Sequence, residues 1–143
     1  MHYPFEAPTR LPPDLGRVEA YWRGLLRGEA AMPFWDDARL EDLPDLKDHL
    51  FLIDVFDMPE RFRFAMVGAE IGGPSLEGCF LDEVALGPPF GFLRSQCSAT
   101  VEAAAPTFYR GPADAAATAH ARLLLPMWGG GRISMILGVV EVG

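Results

Sequence analysis

Cysteine, lysine and long apolar runs are scarce in this sequence, and each shortage excludes a class of protein or partner. Two cysteines, Cys79 and Cys97, are too few for the disulfide framework of a small secreted domain, so reduced thiols are predicted. The longest stretch without a charged residue, Val84–Leu93, has ten residues. A helix needs about 20 apolar residues to cross a bilayer. The sequence therefore predicts no membrane insertion.

Basic residues are outnumbered by acidic ones. The sequence contains 12 basic residues, of which Lys47 is the one lysine, and 20 Asp and Glu. The formal net charge is therefore -8. This excess of negative charge disfavours a phosphate backbone or an anionic membrane surface as the main partner. The first residues, Met1–Glu6, lack the basic and apolar regions of a signal peptide. We therefore expect a cytoplasmic protein that binds no nucleic acid.

The length of 143 residues, half of them hydrophobic, fits a single domain. A chain of this size can bury about two-thirds of the surface that it exposes when unfolded. Folding is therefore expected to need neither a disulfide nor a metal ion.

The first third of the chain predicts an irregular arm followed by a helical cap. Residues 1–13 are rich in proline and form the arm. Helical periodicity begins at Asp14, a suitable N-cap, and Gly28 is a suitable stop. A second, short helix is predicted over Ala38–Asp48. The apolar face of the first helix consists of Leu15, Val18, Trp22, Leu25 and Leu26.

The rest of the sequence predicts strands on either side of a helical middle. Compact or alternating apolar patterns, rich in β-branched and aromatic residues, indicate the strands. The predicted strands are His49–Phe56, Arg61–Val67, Pro106–Arg110, Thr118–Met127 and Arg132–Val142. Between the second and third strands we predict short helical turns, such as Leu81–Val84, and a helix over Phe90–Ala104. Gly111–Asp114 is expected to begin a hairpin loop.

This order predicts an α+β fold, in which a five-stranded antiparallel sheet has helices in its central connection. The late strands hold apolar residues at successive positions, as in Leu123–Leu125, so both faces of the sheet are expected to be covered. The middle helices would cover one face, and the N-terminal helix or a partner would cover the other. The predicted division is an arm over 1–13, an N-terminal helical cap over 14–48 and a core over 49–143.

Several stretches resemble a bacterial subfamily of PAS domains that is common as short stand-alone proteins in alphaproteobacteria. They follow the family's order over about residues 14–142, and the order of strands and helices is that of the PAS fold. The stretches are Tyr21–Leu25, His49–Val55, Arg61–Phe64, Val67–Ile71, Gly78 with Leu81–Glu83, Leu123–Pro126 and Met135–Gly138. Gly72–Cys79 departs from the family, which usually has a Gly-Arg-Asp-like loop and a Thr-Gly before Leu-Asp-Glu.

The resemblance implies a non-enzymatic sensory or regulatory module. PAS domains bind small molecules or cofactors between sheet and helices, and they pass signals through dimer contacts. The chain ends at Gly143, just past the last predicted strand, so any output is expected to come from binding another signalling protein, such as a histidine kinase. A ligand or partner would shift the population of two arrangements of the first helix against the sheet.

The identity of a cofactor stays open, and the sequence argues against three kinds. Gly78–Asp82 matches poorly the motif around the reactive cysteine of the flavin photosensors, so Cys79 is interpreted as structural. Haem-binding PAS domains commonly use a histidine on the long middle helix, which has none here; Cys97 and His120 remain as candidates. The cysteines and histidines do not show the spacing of metal ligands.

Aromatic and apolar residues of the predicted core are candidates for a ligand pocket. At this spacing such residues are more often plain core, and the resemblance to a ligand-binding fold is what favours a pocket. A small apolar ligand is expected there, with few polar contacts. The candidate lining residues are Phe64, Met66, Phe80, Phe92, Ser95, Cys97, Leu123, Met135 and Leu137.

The first helix is the candidate dimer or partner interface. An amphipathic helix before a PAS sheet either covers its own sheet or swaps into a dimer. Because both sheet faces are predicted to be apolar, we expect a homodimer. The interface residues would be Leu15, Val18, Trp22, Leu25 and Leu26.

Two other classes of protein remain as alternatives. The first is a small-molecule enzyme on an unrelated α+β fold with Asp54 and His120 as base and acid, which requires both side chains to meet in one cleft. Asp54 interrupts an apolar strand, and Arg61 or Arg63 on the neighbouring strand is its expected partner. The second is a structural interaction domain whose filled core leaves no pocket.

Overall fold

The structure, a computed structural model, describes residues 5–111 and 119–142. Parts of three predictions lie outside these ranges: the first four residues of the arm, the hairpin loop over 112–114 and the strand start at Thr118. Gly143 also lies outside them. In chain order the helices and strands are α1 (Pro13–Gly24), β1 (Leu50–Phe56), β2 (Arg61–Val67), α2 (Leu93–Ala103), β3 (Thr107–Gly111), β4 (His120–Gly129) and β5 (Arg132–Val142).

The five strands form one antiparallel sheet in the order β2-β1-β5-β4-β3. This confirms the predicted α+β class and the five-stranded antiparallel sheet. Each predicted strand is present, with ends that differ from the prediction by no more than about two residues. The turn between β4 and β5 contains Gly130 and Gly131, whose positive φ angles explain why glycines stand there.

The predicted second helix over Ala38–Asp48 is wrong. The segment instead forms two 3₁₀ turns, Leu40–Asp42 and Lys47–His49, on either side of Pro44. Proline has no N–H to donate and clashes with the preceding helical turn, which explains the break. The apolar side chains of this segment are still buried: Leu40, Leu43 and Leu46.

The first helix is shorter than predicted at its C-terminal end. α1 begins after Pro12, so Asp14 lies within its first turn instead of capping it. The helix ends at Gly24, and Gly28 follows only after a further loop.

The middle helix begins later than predicted. α2 starts at Leu93 instead of Phe90, because Phe92 has a φ of 60°. A residue in the left-handed region cannot continue a right-handed helix. Leu81–Val84 forms a turn and a bend without helical structure.

α1 covers one face of the sheet, which we call the α1 face. The indole N–H of Trp22 donates to the Pro126 carbonyl at 2.9 Å, and the Asp14 amide donates to the Glu141 carboxylate at 2.8 Å. Antiparallel partners lie on the same face, so the strand register identifies the residues beneath α1. On β4 and β5 these are Leu123, Leu125, Met127, Met135, Leu137 and Val139.

α2 and the segment before it cover the opposite face, which we call the α2 face. The Phe90 ring packs against Phe51 and Phe64, with ring centroids 5.4 and 5.2 Å apart. Gly138 lies directly under the Phe51 ring, where an added Cβ would be 2.2 Å from a ring carbon. The α2 face includes Phe51, Ile53, Phe64, Thr107, Tyr109, His120, Arg122, Leu124, Ile136 and Val140.

Candidate functional site

A buried arginine lies within the α2 face. Arg122 on β4 has no solvent-accessible surface. Its Nε–H donates to the Gln96 side-chain oxygen at 2.8 Å, and its terminal N–H groups donate to the carbonyls of Pro89 at 2.8 Å and Gly91 at 2.9 Å. No carboxylate of the described residues accepts a hydrogen bond from it. Arginine is almost never fully buried unless an anion pairs with it, which makes Arg122 unusual.

Three further polar side chains connect Arg122 to α2 and β3. The Gln96 amide donates to the Thr107 hydroxyl at 3.1 Å, and the hydroxyls of Thr100 and Thr107 share a hydrogen bond of 2.6 Å. All three residues are no more than 5% exposed. Because the side-chain polar atoms of Gln96, Thr100 and Thr107 all have a partner, these three residues fix the orientation of α2 without an unsatisfied polar atom of their own.

Burial shifts the pKa values of two groups at this site. It disfavours the charged guanidinium and lowers the pKa of Arg122 to about 10, so Arg122 is still a cation at neutral pH. Burial also raises the pKa of the Cys97 thiol to about 12, despite the positive charge of Arg122. The thiol is therefore neutral and a poor nucleophile. The chemical property left to this site is a fixed, desolvated positive charge.

Residues 87–92 cover Arg122 on the side that faces away from the sheet. The Phe90 ring enters the core, while Phe92 is 71% exposed and its ring centroid lies 5.9 Å from that of Tyr109. The Tyr109 ring in turn lies 4.7 Å from the guanidinium carbon of Arg122. This segment is therefore held on the sheet by the buried Phe90 ring, by the contact of Phe92 with Tyr109 and by two hydrogen bonds from Arg122.

The predicted pocket residues do not line one pocket, because they are divided between the two faces and the surface. Phe64 and Cys97 are buried on the α2 side of the sheet. Phe92 and Ser95 are exposed, and Phe80 is half-buried beside β2. The remaining four lie on the α1 face: Met66, Leu123, Met135 and Leu137.

The residues predicted to form a dimer interface are largely buried within the chain itself. Leu15, Val18 and Trp22 are no more than 2% exposed. Leu25 and Leu26 follow the end of α1 and are half-buried. α1 thus covers its own sheet, which is the other of the two predicted arrangements. The apolar face that motivated a homodimer is already occupied.

Asp54 and His120 do not share a cleft. Asp54 lies on the α1 face, where it is in register with Met135, whereas His120 lies on the α2 face. The Asp54 carboxylate accepts two hydrogen bonds from Arg63, at 2.9 and 3.1 Å, which confirms one of its two predicted partners. The other candidate, Arg61, binds Asp82 instead. The hypothesis of an enzyme that uses Asp54 and His120 together is therefore wrong.

The residues that form the buried network were not predicted as a site. The available signal was Arg122 itself, a charged residue between apolar neighbours in a strand that was expected to be covered on both faces. A second signal was the spacing of Gln96 and Thr100, which places two polar side chains on one face of a helix. Their meeting with Thr107 depends on how α2 crosses the sheet, which no local pattern gives.

Other kinds of site find less support in the structure. Over residues 5–111 and 119–142, no three His, Cys, Asp or Glu side chains come together as metal ligands, and no helix could span a bilayer. An open cleft of about 590 Å³ lies between the N-terminal arm and the end of α2. Its lining contains Phe5, Glu6, Glu102 and several alanines, and its buried polar residue, Thr107, already shares its hydroxyl with Gln96 and Thr100.

Comparisons with known proteins return no relative. No protein-family model matches the chain, and neither a curated protein nor a solved structure is similar enough to count as a match. The resemblance to PAS domains consequently depends on the quoted sequence stretches and on the order of the strands and helices.

Proposed function

We propose that this chain is a PAS-type sensory module, in which a small molecule binds between the α2 face and residues 87–103 and thereby changes the binding of a partner protein. Two features support the proposal. The element order on which the resemblance depends is the order of the folded chain. The cover over the α2 face is also held partly by exchangeable polar contacts.

The observation that carries the proposal is the buried cation Arg122. A core built for stability alone would place an apolar residue there, since burying an unpaired charge is costly and apolar replacements of similar volume are often neutral or stabilising. Polar groups in an otherwise apolar site are what orient a bound small molecule. Arg122 is therefore the recognition group of the proposed site.

Output would pass through a protein partner, and a histidine kinase is the class that the resemblance suggests. Phe92 lies on the outer surface of the covering segment, beside the rim of the sheet. Displacement of residues 87–92 would move this ring and change the surface that a partner meets. The ligand would act by favouring one of two arrangements of the segment.

Native mass spectrometry of freshly purified protein, followed by a thermal-shift screen of a metabolite library, tests the proposed function. We expect either a retained small molecule or a compound that raises the melting temperature. A ligand at about 100 times its Kd stabilises by about 2.7 kcal/mol, or about 5–10 °C for a chain of this size. A bare chain that no compound stabilises would contradict the proposal.

The alternative of a filled interaction domain is favoured by one observation. Phe51, Phe64 and Phe90 occupy the space between sheet and cover, with neighbouring ring centroids 5.2–6.5 Å apart. Under this alternative the rings never separate. Neither a retained mass nor a thermal shift is then expected.

A further inference from the structure

Arg122 has more N–H donors than the described residues supply acceptors. A guanidinium carries five N–H groups in a planar fork. Three of them have acceptors, namely Gln96, Pro89 and Gly91, and each of these acceptors is a neutral oxygen. Two N–H groups therefore have no acceptor among the described residues, although the side chain is fully buried. The site is short of both acceptors and negative charge.

A carboxylate would supply the missing negative charge, together with stronger acceptors than carbonyls. It carries a full charge and two oxygens that match two parallel N–H groups of a guanidinium, and such charge-assisted pairs are about twice as strong as bonds to neutral acceptors. The Pro89 and Gly91 carbonyls are therefore weaker occupants of the position that a carboxylate would take. Both carbonyls belong to one short segment, so a single ligand could replace them together.

The surroundings of Arg122 indicate the rest of the ligand. Phe90 lies between the two displaced carbonyls in sequence, and its ring packs against Phe51 and Phe64. The same segment thus supplies a carbonyl oxygen that binds the cation and a phenyl ring that packs in the aromatic core. A ligand with a carboxylate and an aromatic ring joined by a short chain presents the same two groups with a stronger acceptor.

We propose that Arg122 binds the carboxylate of a small arylalkyl carboxylic acid, which displaces the Pro89 and Gly91 carbonyls and places its ring in the position of Phe90. This inference rests on the proposed function and names the ligand class of that site. Binding releases residues 87–92 from the sheet and separates Phe92 from Tyr109. In the free protein, residues 87–92 therefore occupy the binding site beside Arg122, and the ligand takes their place.

Calorimetric titration of the full chain with 3-phenylpropionate and with 3-phenylpropanamide tests the ligand class. The two probes have the same ring and chain, and only the first carries a charge at neutral pH. We expect the carboxylate to bind at least about tenfold more tightly, in line with the greater strength of charged hydrogen bonds. Equal affinities, or no binding of either probe at millimolar concentration, would overturn the inference.

Substitution of the arginine tests the recognition group. Arg122→Gln should remove the preference for the carboxylate, whereas Arg122→Lys should keep part of it, because the charge remains without the fork. Arg63→Gln is the matched control, since Arg63 is a sheet cation that already has the Asp54 carboxylate. Its preference should be unchanged. A carboxylate preference that survives in folded Arg122→Gln would overturn the assignment.

Two readouts keep this inference separate from the proposed function. If Arg122→Gln does not fold by circular dichroism, the amide shift of Gly91 in the wild-type protein, followed by nuclear magnetic resonance during titration with 3-phenylpropionate, replaces it. A Gly91 amide that does not move when the probe binds would overturn the inference. Tight binding of a neutral compound from the metabolite screen, without binding of 3-phenylpropionate, would overturn the ligand class and leave the sensory module standing.

Discussion

The two covers of the sheet are held by different forces. α1 presents Leu15, Val18 and Trp22 to an apolar face, and Trp22 adds one hydrogen bond to the sheet backbone. Residues 87–103 add a buried polar network around Arg122 to their apolar contacts. Apolar burial is strong and has no chemical preference, whereas a guanidinium prefers a charged acceptor over a carbonyl. Under the proposed function, a small molecule therefore competes for the second cover and not for the first.

The largest expected effect is on the α1 face. Trp22→Ala should lower the free energy of unfolding by about 3–5 kcal/mol, because it leaves a cavity and leaves the Pro126 carbonyl without its donor. Urea denaturation measures this change. Trp35→Ala is the matched control, since Trp35 is 47% exposed, and it should cost no more than about 1 kcal/mol. Similar costs for both variants would contradict the assignment of α1 to its own sheet.

The second effect concerns the polar network of the α2 face. Thr107→Val should cost about 1–3 kcal/mol, because Gln96 and Thr100 lose their shared partner while they stay buried. Thr100→Val combined with Thr107→Val should cost less than the sum of the single changes, since both hydroxyls are then gone. Urea denaturation of the four proteins gives the coupling energy. Strictly additive costs would show that the two hydroxyls do not interact.

Gly138 lies on the α2 face and tests how closely the Phe51 ring packs against β5. Gly138→Ala should cost about 1–3 kcal/mol, because its Cβ would meet the Phe51 ring at 2.2 Å. Gly16→Ala in α1, where nothing lies within 4 Å, should instead stabilise by about 0.5–1 kcal/mol. Thermal melts of the two variants should therefore move in opposite directions. A neutral Gly138→Ala would mean that Phe51 does not lie over β5.

The smallest effect distinguishes the two thiols. Cys79 is partly exposed and Cys97 is fully buried, with its pKa raised from 9.0 to about 12. A thiol reagent at pH 8 should therefore label only Cys79 in the native protein, and both cysteines in urea. In the unfolded chain Cys97 ionises at its ordinary pKa, so its contribution to stability should fall as the pH rises from 9 toward 12. Rapid native labelling of Cys97 would contradict its burial.

The presence of the strands and the α+β class of the fold could be predicted from the sequence, because the patterns that indicate strands and helices are local. The apolar run at Leu50–Phe56 and the alternation at Arg61–Val67 each match a strand in the structure. The alternation of β2 is interrupted at Ala65, where the register of β1 and β2 shifts between Leu52 and Ile53. The shift places Met66 and Phe64 on opposite faces, although alternation alone would place them together.

The site itself could not be assembled from the sequence. Arg122 is visible as a charge in an apolar strand, but its acceptors at Pro89 and Gly91 lie about 30 positions away. Both acceptors are backbone carbonyls, which carry no sequence signature. The position of α1 was also not determined by the sequence. Its amphipathic pattern predicts that the helix covers a sheet, but it does not specify which copy of the chain supplies that sheet.

Native-state hydrogen exchange at low urea concentrations most directly tests the difference between the two covers. We predict that amides of residues 87–92 and of α2 exchange through an opening that costs less free energy than global unfolding, while Val18 and Trp22 of α1 exchange only with the whole sheet. If both covers open at the same free energy, together with the sheet, the segment over Arg122 is not a displaceable cover.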